Sequence, residues 1–264
     1  MDFTLKILGT ASALPISDRN PSAQVLQAHG RLFLIDCGEG TQRQMRQMHI
    51  PLGKLDAIFL SHIHGDHVFG IFGLLSTLSM YARSADLPIY APPAFGPILR
   101  FFLSYFGSDM SFTIVHKPLQ MKAPETVYEK GGISVTAFPL NHGIECFGFR
   151  FDEKLTPRQA EKRAPRSYAY CCDTAPFPEL AQWAKGVDLM YHDCTYLKDL
   201  EDKALKYWHS TTVQAARDAK SAGVGRLLIG HYSSRERDIE VYRRECAEVF
   251  PDTVASDDGM SIDI

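Results

Sequence analysis

The sequence Ser61-His62-Ile63-His64-Gly65-Asp66-His67 follows the apolar run 57–60 and precedes an apolar segment that begins at Val68. Its three imidazoles and one carboxylate are costly to pack at a strand end unless something satisfies them. Neutral imidazole and carboxylate together form a donor set that suits zinc. A loop can turn His62 and His64 to one side and Asp66 and His67 to the other. The stretch therefore predicts ligands for two metal ions.

Around this loop, short β-like runs alternate with helical patterns along the 264 residues. Hydrophobic periodicity predicts strands at 4–8, 31–35, 57–60, 133–138, 146–151, 168–172, 189–191, 226–229 and 260–264. It predicts helices at 41–48, 67–82, 94–105, 177–185, 211–222 and 235–248. This order indicates a layered α/β protein with some antiparallel sheet. We expect one domain over residues 1–264.

The composition is that of an ordinary folded protein, with 45% hydrophobic and 22% charged residues. These fractions exclude disordered, collagen-like and coiled-coil classes. With 28 basic and 31 acidic residues the formal charge is -3. That balance argues against a surface coated in positive charge for binding polyanions in general. Any contact with nucleic acid must be local.

Compartment is indicated by the cysteines and by the N-terminus. The six cysteines include no CxxC pair, which favours reduced thiols. The first residues show no basic start, apolar run or cleavage site of a signal peptide. Residues 68–82 form the longest uncharged apolar stretch, too short for the ~20 residues that cross a bilayer. We expect a cytoplasmic protein with no membrane partner, and a buried helix at 68–82.

Residues 152–167 hold eight charges in sixteen positions, with Pro157 and Pro165 bracketing a short helical possibility. Charge runs of this kind are usually solvated, so a solvated connection or an exposed helix is predicted. The alternative is a basic contact with substrate. The side chains available for it are Lys154, Arg158, Lys162, Arg163 and Arg166.

The order His-x-His-x-Asp-His at a strand end resembles the signature of the metallo-β-lactamase superfamily. The resemblance implies an αββα four-layer sandwich with further ligands at other strand ends. Three segments match them: Asn141-His142-Gly143, Cys171-Cys172-Asp173-Thr174 and Ile229-Gly230-His231-Tyr232. On this pattern one Zn²⁺ is held by His62, His64 and His142, the other by Asp66, His67 and His231, and Asp173 bridges them. Asp36, in a matching Asp-x-Gly turn, would brace the metal loop by hydrogen bonding.

Within the superfamily the chain is most similar to the ribonuclease Z family of tRNA 3′-processing endonucleases. The similarity is carried by residues 7–15, 19–22, 34–42, 67–70 and 73–75, and by His209-Ser210-Thr211, which stands 22 residues before His231. The family's histidine at this last motif stabilises or protonates the scissile phosphate, and His209 matches it. Its supporting carboxylate matches Asp193, in His192-Asp193-Cys194-Thr195, where the family usually has Glu. The resemblance implies substrate contacts at Asn20, Ser210 and Thr211.

One feature departs from the family. Bacterial ribonuclease Z proteins carry a long Gly- and Pro-rich arm between the third histidine and the bridging Asp, and this arm clamps the tRNA elbow. Here His142 and Asp173 are only 31 residues apart, and residues 152–167 are all that could replace the arm. A weak contact with whole precursor tRNA is expected. A small phosphodiester remains compatible with the same metal site.

The predicted function is that of a zinc-dependent phosphodiesterase that removes 3′ trailers from precursor tRNA. Two Zn²⁺ per chain, or Mn²⁺ or Fe²⁺, would activate a water that Asp66 orients and deprotonates, with His209 and Asp193 acting on the phosphate. A small-molecule phosphodiesterase is one alternative. A hydrolase of lactones, thioesters or β-lactams is another, disfavoured by residues 209–211 and 19–21. A non-enzymatic metal-stabilised binding protein is a third.

A homodimer is also predicted. Residues 68–82 are apolar nearly all round, so that helix must be buried in the core or partly against a partner. Ribonuclease Z relatives pair through this region.

Overall fold

The computed structural model describes residues 2–264, and its strands form two mixed seven-stranded sheets. The chain divides into two compact units. The first unit extends to Gln120 and includes Asp257–Ile262, and the second comprises Met121–Ser256 with Asp263–Ile264. Apart from Asp263, the last residue of the first sheet's C-terminal strand, each sheet belongs to one unit. The α/β class predicted from the sequence is confirmed, while a single domain over 1–264 stays a prediction.

The first sheet has the strand order β14-β1-β2-β3-β4-β5-β6. Its strands are β1 Phe3–Gly9, β2 Ala23–Ala28, β3 Arg31–Ile35, β4 Leu55–Phe59, β5 Leu87–Ala91, β6 Ile114–Pro118 and β14 Ser261–Asp263, and its unit holds helices α1 Thr41–Gln47, α2 Gly65–Val68, α3 Ile71–Met80 and α4 Phe95–Phe106. Strand β2 is antiparallel to both of its neighbours, β1 and β3, and β3 to β6 run parallel to one another. Because β3 and β4 are parallel neighbours, the residues that follow them, Asp36 and Ser61, emerge at the same edge.

The second sheet has the strand order β13-β12-β11-β10-β9-β8-β7. Its strands are β7 Glu125–Lys130, β8 Ile133–Pro139, β9 Phe147–Glu153, β10 Ser167–Cys171, β11 Leu189–Asp193, β12 Arg226–Gly230 and β13 Thr253–Ala255, and its unit holds helices α5 Pro157–Ala160, α6 Leu180–Trp183, α7 Glu201–Lys206, α8 Thr212–Ala222 and α9 Ile239–Ala247. Strands β10 to β13 are parallel, and β8 points the same way because two antiparallel pairings separate it from β10. The carboxyl ends of β8, β10, β11 and β12 therefore meet at one edge, where parallel sheets bind ligands.

The prediction of one continuous helix at 67–82 is wrong, because the structure has two helices there, α2 and α3. The break falls at Gly70, whose backbone approaches the loop after β3: its N–H donates to Cys37 O at 2.8 Å. A Cβ at Gly70 would lie 2.1 Å from Gly38 O, so only glycine fits this close approach.

Two other helices are shorter than predicted. The helix expected at 235–248 begins at Ile239, because the Asp238 side chain accepts the Glu240 N–H and fixes the start there. The helix expected at 177–185 is reduced to Leu180–Trp183. Five strands were not predicted, namely β2, β5, β6, β7 and β13.

The apolar segment 68–82 is buried on one side only. Ile71, Leu74 and Leu75 are fully buried, whereas Met80 is 82% exposed and Tyr81 is 55% exposed. Among residues 2–264 no helix has both the length and the apolar character needed to cross a bilayer. All six cysteines lie within the described residues 2–264, where each is buried and none forms a disulfide.

The charged segment 152–167 has an exposed short helix, α5, as predicted, but it is anchored by a buried carboxylate. Glu153 is 4% exposed. The guanidinium groups of Arg163 and Arg166 donate to its Oε1 at 2.6 and 3.0 Å, and the Arg166 N–H donates to its Oε2 at 3.1 Å. These two arginines are therefore engaged within the segment. The interpretation of the whole run as solvated is wrong for Glu153.

Replacing Glu153 with alanine is expected to lower the free energy of unfolding by about 1.5–3 kcal/mol, the range for hydrogen bonds to a charged group. The arginines left behind are partly exposed and can hydrate, which keeps the loss below that of a fully buried pair. Urea unfolding measures the change. Glu129→Ala is the matched control, because its ion pair with Lys154 is exposed on both sides and should cost less than about 1 kcal/mol. Equal losses in the two variants would contradict the buried network.

Candidate active site

The histidine loop leaves β4 and leads into α2 in the first unit. His62 and His67 are buried, whereas His64 is exposed. His62 Nε2 lies 3.0 Å from His64 Nδ1, and His67 Nε2 lies 3.6 Å from Asp66 Oδ2. The loop thus presents two pairs of candidate ligand atoms, as the alternation of the sequence predicted.

Asp36 braces this loop. It has a φ of 55°, a left-handed conformation that Asp tolerates better than most residues. Its Oδ1 accepts the Ser61 N–H at 2.7 Å, and its Oδ2 accepts the Ser61 hydroxyl and His67 Nδ1–H, each at 2.8 Å. The bracing role expected for Asp36 is confirmed.

The same contacts fix the tautomers of two histidines. His67 donates Nδ1–H to a carboxylate. Because the Ser61 hydroxyl donates its proton to Asp36, its oxygen accepts a hydrogen bond from His62 Nδ1–H, 2.9 Å away. In both rings the lone pair is then on Nε2, the atom that faces another candidate ligand. Such an outer partner on the second ring nitrogen is typical of histidines that bind metal.

In the second unit, Asp173 lies between two histidines. His231 Nε2 is 3.2 Å from Asp173 Oδ1, and His142 Nε2 is 4.0 Å from Asp173 Oδ2. Each carboxylate oxygen thus faces a different imidazole, which is the arrangement that a bridging carboxylate requires. Burial lowers the pKa of His142, although Asp173 opposes this, so the ring is held in the neutral form that metals bind.

His142 and His231 also have fixed tautomers. His142 Nδ1–H donates to the carbonyl oxygen of Trp208 at 3.1 Å. The Thr195 hydroxyl donates to Asp193 Oδ1 at 2.6 Å and therefore accepts from His231 Nδ1 at 2.8 Å. Four predicted ligand histidines, two in each unit, thus carry their lone pair on Nε2 for the same physical reason.

A fifth histidine, His209, lies beside Asp173 and His231 but is not one of the predicted ligands. Ligand atoms of His209, His231 and Asp173 lie within 4.8 Å of one another. His209 Nδ1–H donates to Asp193 Oδ2 at 2.8 Å. The predicted pairing of His209 with Asp193 is therefore present, and the shorter side chain of Asp reaches the ring without difficulty.

Asp193 is fully buried and well supplied with donors. The Thr174 and Thr195 N–H groups donate to it at 3.1 and 2.9 Å. Burial alone would raise the pKa of this carboxyl, but the adjacent His209 and His231 outweigh it and hold the pKa below its usual value. The carboxylate is therefore ionised and keeps His209 in one orientation.

Thr195 is the functional residue that the sequence reasoning missed. Its hydroxyl contacts Asp193 and His231, and it also lies 3.3 Å from His209 Nδ1. The stretch 192–195 was singled out for Asp193 alone. The available signal was the position of Thr195 two residues beyond Asp193, where a parallel strand ends.

The three predicted substrate contacts all have structural partners. Asn20 Nδ2 donates to Asp258 Oδ2 at 2.8 Å. The buried Ser210 hydroxyl donates to Thr174 O at 2.7 Å, and Thr211 is the N-cap of α8. These contacts hold the ends of the site's loops in place. A direct contact of Asn20, Ser210 or Thr211 with substrate stays a prediction.

Comparison with known proteins places this geometry in a family. Residues 31–232 match the model described as Beta-lactamase superfamily domain. Ribonuclease Z of Bacteroides thetaiotaomicron is 35% identical to this chain over 301 residues, and the alignment covers 99% of this chain and 95% of the relative. Ribonuclease Z of Parabacteroides distasonis is 35% identical over 302 residues, and the alignment covers 100% of this chain and 99% of the relative. Because this chain has 264 residues, both relatives contain residues that it lacks.

Solved structures agree with the sequence comparison. The crystal structure of human tRNase Z, short form, matches with a TM-score of 0.83 and 28% identity over 98% of each chain. The metallo-β-lactamase fold protein YhfI from Bacillus subtilis matches with a TM-score of 0.81 at 22% identity over the whole of both chains, which shows the fold alone. The chain has the metallo-β-lactamase fold that its histidine loop predicted, and it belongs to the ribonuclease Z family.

Proposed function

We propose that this protein is a cytoplasmic metal-dependent endoribonuclease that removes 3′ trailers from precursor tRNA. The observation that carries the proposal is His209, which is hydrogen-bonded to Asp193 and has a ligand atom within 4.8 Å of those of the predicted ligands Asp173 and His231. A metal site alone would serve many hydrolases. A histidine beside it, oriented by a buried carboxylate, supplies the additional donor that a charged phosphodiester requires.

The donor set fits zinc. It consists of five imidazoles, four of them with a fixed Nε2 lone pair, and of carboxylates, the ligands that Zn²⁺ takes in catalytic sites. We assign His62, His64 and His142 to one ion and Asp66, His67 and His231 to the other, with Asp173 shared, following the family pattern. Mn²⁺ or Fe²⁺ could occupy the same donors. When bound, the ions act as Lewis acids and lower the pKa of water.

The protein's own residues then perform the proton chemistry. Asp66 is held by the Ala13 N–H, which donates to its Oδ2 at 2.7 Å, and we assign it to orient the attacking water and accept its proton. Because His209 gives Nδ1–H to Asp193, its Nε2 is the atom for the leaving oxygen or a non-bridging phosphate oxygen.

Cleavage of a precursor tRNA by the purified holoenzyme, with the 3′ cut mapped, tests the proposal. A cut after the acceptor stem supports it. A protein that hydrolyses bis(p-nitrophenyl) phosphate but leaves every precursor intact would instead be a small-molecule phosphodiesterase. One observation supports this second candidate: the chain has 264 residues, whereas its alignment with a relative spans 301. A chain without the tRNA-clamping arm is expected to bind tRNA more weakly. Turnover of lactones or thioesters alone would contradict both.

We predict two metal ions per chain. The reason is that the assigned ligands form two sets that share Asp173, whose two carboxylate oxygens face different imidazoles, and that outer partners fix the Nε2 lone pairs of four of the ligand histidines. Protein saturated with zinc and freed of excess metal should give a metal-to-protein ratio near two by elemental analysis. A reproducible ratio near one would contradict the assignment of two ions.

We also propose a homodimer. The exposed ends of α3 and α4 carry large apolar side chains that water disfavours. Their exposed fractions are 82% for Met80, 55% for Tyr81, 67% for Phe101, 69% for Tyr105 and 64% for Phe106. Light scattering at micromolar concentration should give the mass of two chains, and Phe101→Lys should shift it toward one. A wild-type mass of one chain would contradict the dimer.

A further inference from the structure

The residues just before His209 form an unusual surface in the second unit. Helix α7 ends at Lys206, and Tyr207 and Trp208 follow with 48% and 46% of their surfaces exposed. Trp208 has a φ of 61°, in the left-handed region that bulky side chains avoid. Such strain is usually retained where a function requires it.

This conformation of Trp208 is fixed by its neighbours. Its N–H donates to Leu205 O at 3.3 Å, and its carbonyl accepts from His142 Nδ1. The indole also lies against Gly143, where a Cβ would stand 3.2 Å from its Cδ1. The exposed Trp208 ring is thus anchored to the predicted metal ligand His142 and its neighbour Gly143. Trp208 also directly precedes His209, the histidine assigned to the phosphate.

Cations accompany the aromatic rings. The Lys206 ammonium lies 5.5 Å from the centre of the Tyr207 ring, and the Lys203 ammonium lies 5.3 Å from that of Tyr196. The Tyr196 ring is in turn 6.1 Å from the His209 ring, edge to face. Aromatic faces with adjacent ammonium groups are the two components of sites that bind single-stranded nucleic acid: the rings stack on bases and the cations pair with phosphates.

We propose that Trp208 is a stacking site for an unpaired nucleotide next to the scissile phosphate, with Lys203 and Lys206 close to the flanking backbone. The inference rests on the proposed function, since it assumes an RNA substrate. A paired base keeps its faces inside the helix, so only an unpaired nucleotide offers a face to the indole. The site is local, as the formal charge of -3 requires of any contact with nucleic acid in this protein.

Tryptophan fluorescence tests the contact independently of cleavage, because the chain has only two tryptophans. Trp183 packs against Phe138 and Phe177, with ring centres 5.9 and 5.5 Å apart, whereas Trp208 is exposed. Each is replaced by Phe in the metal-loaded Asp66→Ala protein, so that the RNA stays intact. Hexaadenylate RNA should quench the emission of the Trp183→Phe protein, where Trp208 remains, and leave that of the Trp208→Phe protein unchanged. Equal quenching in both, or none in the first, overturns the proposal.

Kinetics on precursor tRNA provide the second measurement. Trp208→Leu and Trp208→Phe experience the same backbone strain, but only Phe keeps an aromatic face. KM should rise by about fivefold to a hundredfold in the Leu variant, the loss of one base–aromatic stack, and should return most of the way in the Phe variant. A wild-type KM in the Leu variant of an active enzyme overturns the stacking site and leaves the proposed function standing. A wild-type enzyme that cuts no precursor contradicts the proposed function, while the quenching experiment still decides on Trp208.

Discussion

Replacing Asp66 with alanine is expected to lower kcat for bis(p-nitrophenyl) phosphate by at least the ~10²–10⁴-fold that a positioned proton acceptor contributes. The loss should exceed that of any other single carboxylate outside the metal-bridging position, because Asp66 has two assigned tasks. It is a ligand of the second metal, and it orients and deprotonates the water. The measurement is steady-state turnover at saturating zinc, together with the metal content of the variant.

The fold should survive this change. Asp66 is only half-buried, and its side chain ties the loop to Ala13 through a hydrogen bond at the exposed surface of the first unit. Asp66→Asn separates the two tasks, since an amide keeps the shape and an oxygen donor but accepts no proton at neutral pH. Asp18→Ala is the control, an exposed carboxylate of the same unit with no assigned role, and it should keep wild-type turnover. An active Asp66→Asn enzyme would show that another group takes the proton.

The histidine loop could be predicted from the sequence because its information is local. Four ligand-type side chains between residues 62 and 67, directly after a buried strand, leave few alternatives to a metal site. Asp36 was equally accessible, because it follows β3 directly and so emerges beside the end of β4. Most strands with high apolar content were found for the same reason, although the apolar strand β5 was missed. Strands β2, β6 and β7 were missed, because their mixed polar sequences acquire a strand structure only through pairing with neighbours.

The outer contacts of the site could not be predicted, because they join residues far apart in the chain. The Thr195 hydroxyl meets His231 over 36 positions, and the Trp208 carbonyl meets His142 over 66. Neither threonine nor a backbone carbonyl is marked by composition or spacing. The burial of Glu153 has the same origin, since a charge run gives no indication of which member will be enclosed by the others. Tertiary pairing decides these roles, and only the structure displays it.

The second large effect is expected at His209. His209→Ala should lower kcat on bis(p-nitrophenyl) phosphate by about 10²–10⁴-fold, as removal of a general acid or of a phosphate-stabilising donor does. The metal content should stay unchanged, because His209 is not one of the assigned ligands. Elemental analysis of the variant is therefore the control. Loss of metal together with activity would show that His209 is a ligand rather than an acid.

Asp193 allows the role of His209 to be dissected. In Asp193→Asn the side chain can offer an N–H to His209 Nδ1 in place of an acceptor, which favours the wrong tautomer, so kcat should fall nearly as far as in His209→Ala. If Asp193 acts only through His209, the double variant should be no slower than His209→Ala alone, since residues that act as a unit are not additive. Asp193 also reaches His231 through the Thr195 hydroxyl. A further loss in the double variant, accompanied by weaker zinc binding, would therefore assign part of the effect of Asp193 to the metal ligand and contradict a purely histidine-orienting role.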